Sequence, residues 1–267
     1  MSILDALDAK YRLILCDIWG VVHDGIRLYP GAQHRLMQWR DEGRCVGLIT
    51  NAPRTQEAVE DQLDRIGLPR ASYDFVSTSG EAGIAALLEL AKPVGFVGTR
   101  SDRRILESRG ILIADQEGFA DLACTGMRED RPDPLDYRAD LESWAERRVT
   151  MHCLNPDRVV MRGNVREPCA GALADLYEGI GGEVIWYGKP HDAIYNHALH
   201  CAGDPAAAAV LAIGDGLQTD MLGAARHGFD AVFVSGGIHA GEPFPGNFAD
   251  ANGLGDWKPL GVVNDLG

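Results

Sequence analysis

Six apolar runs of strand length punctuate the chain, and three of them run out to a polar residue. They are RLILCDIW (12–19), CVGLITN (45–51), YDFVSTS (73–79), EVIWYG (183–188), AAVLAIGD (208–215) and DAVFVSGG (230–237). Amphipathic stretches of helical length lie between them. The spacing predicts helices near 31–43, from Pro53 to Gly67, near 80–91, after Pro190 and near 217–227. Proline at the start and glycine at the end of the 53–67 stretch follow the usual asymmetry of helix termini. Strands apolar on both faces, alternating with helices, imply a parallel sheet covered on both sides. The fold class expected is therefore α/β.

The middle of the chain repeats the alternation on a smaller scale. PVGFVGT (93–99) reads as a strand, followed by a helix to Gly110 and a strand in ILIAD (111–115). A polar, proline-bearing region follows, TGMREDRPDPLDYRADLE (125–142). RVTMHCLN (148–155) is another strand, and a helix spans roughly 168–179. This pattern predicts a Rossmann-like core over 1–79 and 186–267, interrupted by a second α/β domain over 80–185.

Composition bounds the function. With 46% hydrophobic and 24% charged side chains in 267 residues, the chain can bury ample core. A formal net charge of −14 argues against general binding to nucleic acid, which rests on cations facing phosphate. It leaves room for a small anionic ligand in a cleft where a metal and a few local cations reverse the field. No stretch of 18 apolar residues predicts a membrane span, and MSILDALDAKYR lacks the basic start of a secretory signal. Six cysteines without a C-x-x-C pair suit a reduced, cytoplasmic setting.

Ligands of doubly wound sheets bind beyond the carboxyl ends of the strands. Four such ends here carry related chemistry. The first ends at Asp17 and the second at Thr50-Asn51; Lys189 follows the run at 183–188, and Asp215 and Asp220 follow the run at 208–213. A carboxylate nucleophile, a hydroxyl and amide donor, a cation and an acidic pair are what phosphoryl transfer through an aspartyl-phosphate requires. Taken singly, each has a plainer reading. Thr50-Asn51 could cap the next helix, GDG (214–216) could be a turn, and Lys189 could be a solvated charge. Asp17 resists this treatment, because a buried, unpaired carboxylate is costly. Histidines 23, 191, 197 and 200 read as exposed or structural rather than as metal ligands.

In order along the chain, DIWGVVHDG (17–25), LITNAPR (48–54), YGKP (187–190) and GDGLQTD (214–220) resemble the four motifs of the haloacid dehalogenase (HAD) superfamily. The similarity is to its subfamily of small-molecule phosphatases with a large α/β cap of the C2 type, inserted between motifs two and three; NPD (155–157) also looks like that subfamily. The resemblance implies that Asp17 attacks phosphorus. It implies that Mg²⁺ is held by Asp17, Asp215 and the backbone carbonyl of Trp19, with waters completing its shell. Thr50 and Lys189 would neutralise the transferring group, with Asn51 as a further donor. Asp220, expected in the first turn of a helix where a carboxylate is favoured, would orient Lys189 or a metal-bound water. The inserted domain would close over the site, exclude water and select the substrate, with Asn155, Asp157 and Arg162 as candidate contacts. The partner implied is a small phosphorylated metabolite, a sugar phosphate or nucleotide-like monoester, and oligomeric state stays open between monomer and homodimer.

One residue departs from the pattern. Most phosphatases of this superfamily have a second aspartate two positions after the nucleophile, which protonates the leaving oxygen; here that position is Trp19. General acid–base help of this kind is worth roughly 10²–10⁴-fold. Three readings follow. The enzyme could favour substrates whose leaving groups need little protonation, or Asp24, His23 or Asp157 could supply the proton. Alternatively the fold could bind a phosphometabolite without catalysis. A haloacid dehalogenase reading, suggested by an aromatic at this position, sits badly with the acidic pair in GDGLQTD, which would repel an anionic haloacid unless a cation were present.

Overall fold

The computed structural model describes residues 2–114, 118–162, 165–237 and 244–267, without the side chains of 161, 162 and 165. Its strands are β1 Leu13–Asp17, β2 Cys45–Thr50, β3 Phe75–Thr78, β4 Gly95–Val97, β5 Asp121–Cys124, β6 Thr150–Cys153, β7 Val159–Arg162, β8 Val165–Pro168, β9 Glu183–Trp186, β10 Val210–Gly214, β11 Asp230–Val234 and β12 Gly261–Val263. The chain divides into two compact units. The first comprises Met1–Thr50, Gln56–Ser77 and Lys189–Gly267; the second comprises Asn51–Thr55 and Thr78–Gly188.

The first unit holds a sheet of order β12-β11-β10-β1-β2-β3. β1 runs parallel to β10 on one side and β2 on the other, with Cys16 opposite Ile213 and Asp17 opposite Ile49. β10, β11 and β12 continue in parallel. A strand in the middle of such a sheet is covered on both faces, and every residue of β1 is buried. One face packs a core built from Leu13, Leu15, Ile194, Tyr195, Met221 and Phe233, among others. The helix over Ala32–Asp41 contributes Leu36 and Trp39, both fully buried.

The second unit is a smaller parallel sheet of order β4-β5-β6-β9, with β7 and β8 paired as a separate antiparallel hairpin. Its core includes Leu122, Met151, Leu173 and Tyr177. The helix over Ser79–Glu89 starts at Thr78, whose hydroxyl accepts a hydrogen bond from the Glu81 backbone N–H at 2.9 Å. A cap of this kind contributes about 1 kcal/mol.

The structure revises several expected elements. ILIAD does not form a strand among the described residues: only Ile113 bridges, to Val94, and Asp115 lies outside them. The sheet instead takes its second strand from Asp121–Cys124. That run is four residues long and starts on an aspartate whose carboxylate meets His152 at 3.0 Å and Lys92 at 2.6 Å. Its polar start and small apolar residues hid it. The polar region after it contains a helix, Arg138–Glu146. The helix expected from Pro53 begins later, at Gln56. That places Thr50 and Asn51 six and five residues before its first residue and removes the capping explanation for the pair. The helix expected near 217–227 is a five-residue π turn over Leu217–Met221 followed by a short α-helix, Leu222–Arg226. Asp220 therefore belongs to a wide turn rather than to the first turn of an α-helix.

Candidate active site

Within the first unit, Asp17, Lys189 and Asp220 form a buried chain of hydrogen bonds. Lys189 Nζ donates to Asp17 Oδ1 at 2.6 Å and to Asp220 Oδ1 at 2.8 Å, and all three side chains are less than one-tenth exposed. The backbone N–H of Ile18 donates to the same Asp17 oxygen at 2.8 Å. Asp17 Oδ2 receives no hydrogen bond from the described residues. The π turn explains how Asp220 reaches this place. Its other oxygen accepts from the Gly216 N–H at 3.2 Å and from the Thr219 hydroxyl at 3.3 Å. Gly214 cannot carry a side chain, since a Cβ there would lie 2.2 Å from the Asp220 Cγ.

Asp215 completes the cluster. Carboxylate oxygens of Asp17, Asp215 and Asp220 lie within 4.8 Å of one another, and all three residues are buried. With one ammonium among three carboxylates, the fully ionised group carries a net negative formal charge. Burial pushes the Asp17 carboxyl well above its ordinary range, and Asp220 and Asp215 add to this, against the pull of Lys189. Burial alone would lower the Lys189 ammonium, but Asp17 and Asp220 outweigh it and hold the lysine cationic. Oxygen donors of this charge and spacing suit a hard divalent cation such as Mg²⁺. The backbone leaves room for them: a Cβ on Gly20 or Gly237 would fall 2.1 or 2.2 Å from Asp215 Oδ2.

Thr50 ends β2, one residue beyond the position opposite Asp17, at the carboxyl edge of the same sheet. Asn51 belongs to the second unit. There its side-chain amide donates to Asp157 Oδ1 at 2.8 Å, and its carbonyl accepts from the Ser79 hydroxyl at 2.7 Å. Asn155 is buried and makes an Asx turn, its Oδ1 accepting from the Asp157 N–H at 3.2 Å. Arg162 closes β7, and its side chain lies outside what the structure describes. Ser79 was not singled out in the sequence, where it is one of several small residues opening a helix. Tyr195 was also missed. It is fully buried on the helix over Asp192–Cys201, with its hydroxyl 3.4 Å from the carbonyl of Thr219 next to Asp220, yet it reads as a core aromatic.

The replacement at position 19 leaves two neighbours as proton donors from the same loop, and both are poorly suited. His23 is buried, and its Nδ1 accepts from the Gly25 N–H at 2.9 Å, which requires a neutral ring. Burial lowers its pKa accordingly. Asp24 accepts from the backbone N–H groups of Arg27 and Ile26, both at 2.9 Å, and these bonds hold its carboxyl below the ordinary range. The indole of Trp19 packs edge-on to His23, with ring centroids 5.5 Å apart.

Comparison with known proteins gives the family. Residues 14–112 match a model of the haloacid dehalogenase-like hydrolases, and residues 186–266 match a second, HAD-hydrolase-like model. The ribonucleotide monophosphatase NagD of Escherichia coli (strain K12) is 26% identical over 228 residues, which is 84% of this chain and 88% of that protein. The D-glycerol 3-phosphate phosphatase of Mycobacterium tuberculosis is 25% identical, covering 89% of this chain and 66% of its own length. Among solved structures, a p-nitrophenyl phosphatase from Archaeoglobus fulgidus shares the fold, with a TM-score of 0.74 and 22% identity over 96% of this chain and 97% of that one. A haloacid dehalogenase-like hydrolase from Brucella suis 1330 is 32% identical and superposes with a TM-score of 0.85 over 99% of this chain and 98% of that one. With its four motifs in order and that likeness over nearly its whole length, this chain belongs to the haloacid dehalogenase-like hydrolases, among relatives named as phosphatases.

Proposed function

We propose that this hydrolase is a phosphatase that cleaves a small organic phosphate through an aspartyl-phosphate on Asp17. The observation that carries the reading is the buried Asp17–Lys189–Asp220 chain with Asp215 beside it. The names of the curated relatives point the same way. The substrate class we favour is a sugar phosphate or nucleotide-like monoester.

An oxygen of the Asp17 carboxylate attacks phosphorus, the bond from phosphorus to the leaving oxygen breaks, and the leaving group departs with the electron pair. Water then attacks the aspartyl-phosphate, releasing inorganic phosphate and restoring the carboxylate. Lys189, kept cationic and held in place by Asp220, neutralises charge on the transferring group. Thr50 and Asn51 add donors in the same role. Mg²⁺ held by Asp17, Asp215 and the Trp19 carbonyl would supply the positive charge that three buried carboxylates and a phosphate lack. The second unit, through Asn155 and Arg162, would select the substrate.

Without an acid at position 19, and with Asp24 held ionised and His23 held neutral, departure depends on the leaving group itself. Aryl and acyl phosphates should outrun alkyl phosphates by a wider margin than in relatives that have the second aspartate. The decisive assay is steady-state hydrolysis of p-nitrophenyl phosphate with Mg²⁺, in wild type and Asp17→Asn. Turnover in the wild type lost in the variant supports the reading. Binding of phosphate esters without turnover would make the chain a phosphometabolite-binding protein instead. Equal rates for p-nitrophenyl and alkyl phosphates would place a proton donor elsewhere in the site.

A further inference from the structure

Asp157 lies 106 residues from Asn51 in sequence, yet accepts a hydrogen bond from its side-chain amide. Several features fix that contact. The Asx turn at Asn155 sets the path of the backbone through Pro156 to Asp157. Behind it, the Gly171 N–H donates to the Asp157 carbonyl at 3.1 Å, and a Cβ on Gly171 would fall 2.3 Å from the Pro156 carbonyl oxygen. The Ser79 hydroxyl lies 2.7 Å from the carbonyl of Asn51 and 2.6 Å from that of Leu154, joining the same two segments a second time. A third segment closes the corner. A Cβ on Gly188 would meet the Pro156 ring at 2.4 Å and the Asn51 Oδ1 at 2.5 Å, so only bare backbone fits there.

Two residues of the proposed chemistry adjoin this corner directly in the chain. Thr50 precedes Asn51, and Lys189 follows Gly188. We infer that Asp157 is a positioning residue: with the Asn155–Pro156 turn and Gly188 it seats Asn51, and through Asn51 it sets the place of Thr50 for the phosphoryl transfer. This rests on the phosphatase reading above and replaces substrate contact as the role of Asp157. The contact needs an acceptor oxygen at position 157, and charge is secondary.

That distinction makes the test. Asp157→Ala removes the acceptor, whereas Asp157→Asn keeps a carbonyl oxygen that can accept from Asn51 and removes the charge. With p-nitrophenyl phosphate and Mg²⁺, Asp157→Ala should lower kcat on the order of tenfold to a hundredfold, the scale of a misplaced group, with KM little changed. Asp157→Asn should recover most of that loss, and Asn51→Ala combined with Asp157→Ala should be no worse than Asn51→Ala alone. A rise in KM as the main effect, or a loss in Asp157→Asn as deep as in Asp157→Ala, would overturn the inference in favour of a charge that meets the substrate or gives it a proton. A second readout needs no turnover. The side-chain amide resonance of Asn51, assigned by its absence in Asn51→Ala, should shift in Asp157→Ala and hold in Asp157→Asn. Should the wild type prove inactive while this pattern holds, the phosphatase reading fails and the seat stands; an amide that ignores both substitutions removes the seat, whatever the activity.

Discussion

Asp17 could be singled out in the sequence because of what precedes it. A carboxylate ending a fully apolar strand has nowhere to go except a buried edge, and there it needs partners. The identity of those partners was visible only as residue types at other strand ends; that the Lys189 Nζ donates to both Asp17 and Asp220, at 2.6 and 2.8 Å, was not. The energetic logic can be tested at Lys189. Replacing it with methionine leaves three buried carboxylates without their cation, and removing one partner of a buried pair costs about 3–5 kcal/mol. Lys189→Met should therefore unfold at markedly lower urea without divalent cation, and Mg²⁺ should stabilise the variant by more than it stabilises the wild type. Unchanged stability in the variant would mean that the carboxylates are already neutralised by other means.

The loop from Ile18 to Gly25 shows how an element decides what a residue can do. Gly20 and Gly25 have φ values of +88° and +92°, a region that side chains rarely occupy, and a Cβ at Gly25 would press within 2.4 Å of the Trp19 ring. The loop folds back on itself, with the Gly20 N–H donating to the His23 carbonyl at 3.0 Å. In that fold His23 becomes a buried acceptor. Its pKa is depressed below 6.5, mainly by burial. The unfolded chain therefore binds the proton first, and this part of stability is present above about pH 6.5 and is lost as pH falls toward the folded value. Unfolding measured from pH 8 to pH 5 should show that decline, and His23→Asn, which keeps an acceptor and does not titrate, should flatten it. From sequence alone His23 and Asp24 are open candidates for the missing acid; hydrogen bonds made within the loop leave both poorly suited to that role, and no spacing rule carries such information. The same holds for β5, where Asp121 reads as a loop residue until His152 and Lys92 are seen around it.

For the whole molecule, the order of elements was the most legible property. Parallel strands flanked by helices follow from apolar runs joined by amphipathic ones, and an insertion follows from a second alternation between the first strands and the last. No helix among the described residues is long and apolar enough to cross a membrane. A cation held between Asp17 and Asp215 would bind only the folded chain, because these residues are 198 positions apart and meet only when β1 and β10 pair. Mg²⁺ at 100 times its Kd should therefore add about 2.7 kcal/mol to the stability of the folded chain. The effect should vanish in Asp215→Asn, and thermal unfolding with and without the ion measures both.

By itself, the sequence determined which side chains stand at strand ends, since hydrophobic periodicity is local and survives without neighbours. It equally determined that Trp19 stands where an acid is usual. Tertiary structure alone decided that Asp220 reaches Lys189 through a wide turn, that His23 is buried, and that Asp157 accepts from Asn51. Each of these depends on distances between segments far apart in the chain and on burial, which sets the strength of every charge and hydrogen bond and cannot be read from one segment at a time.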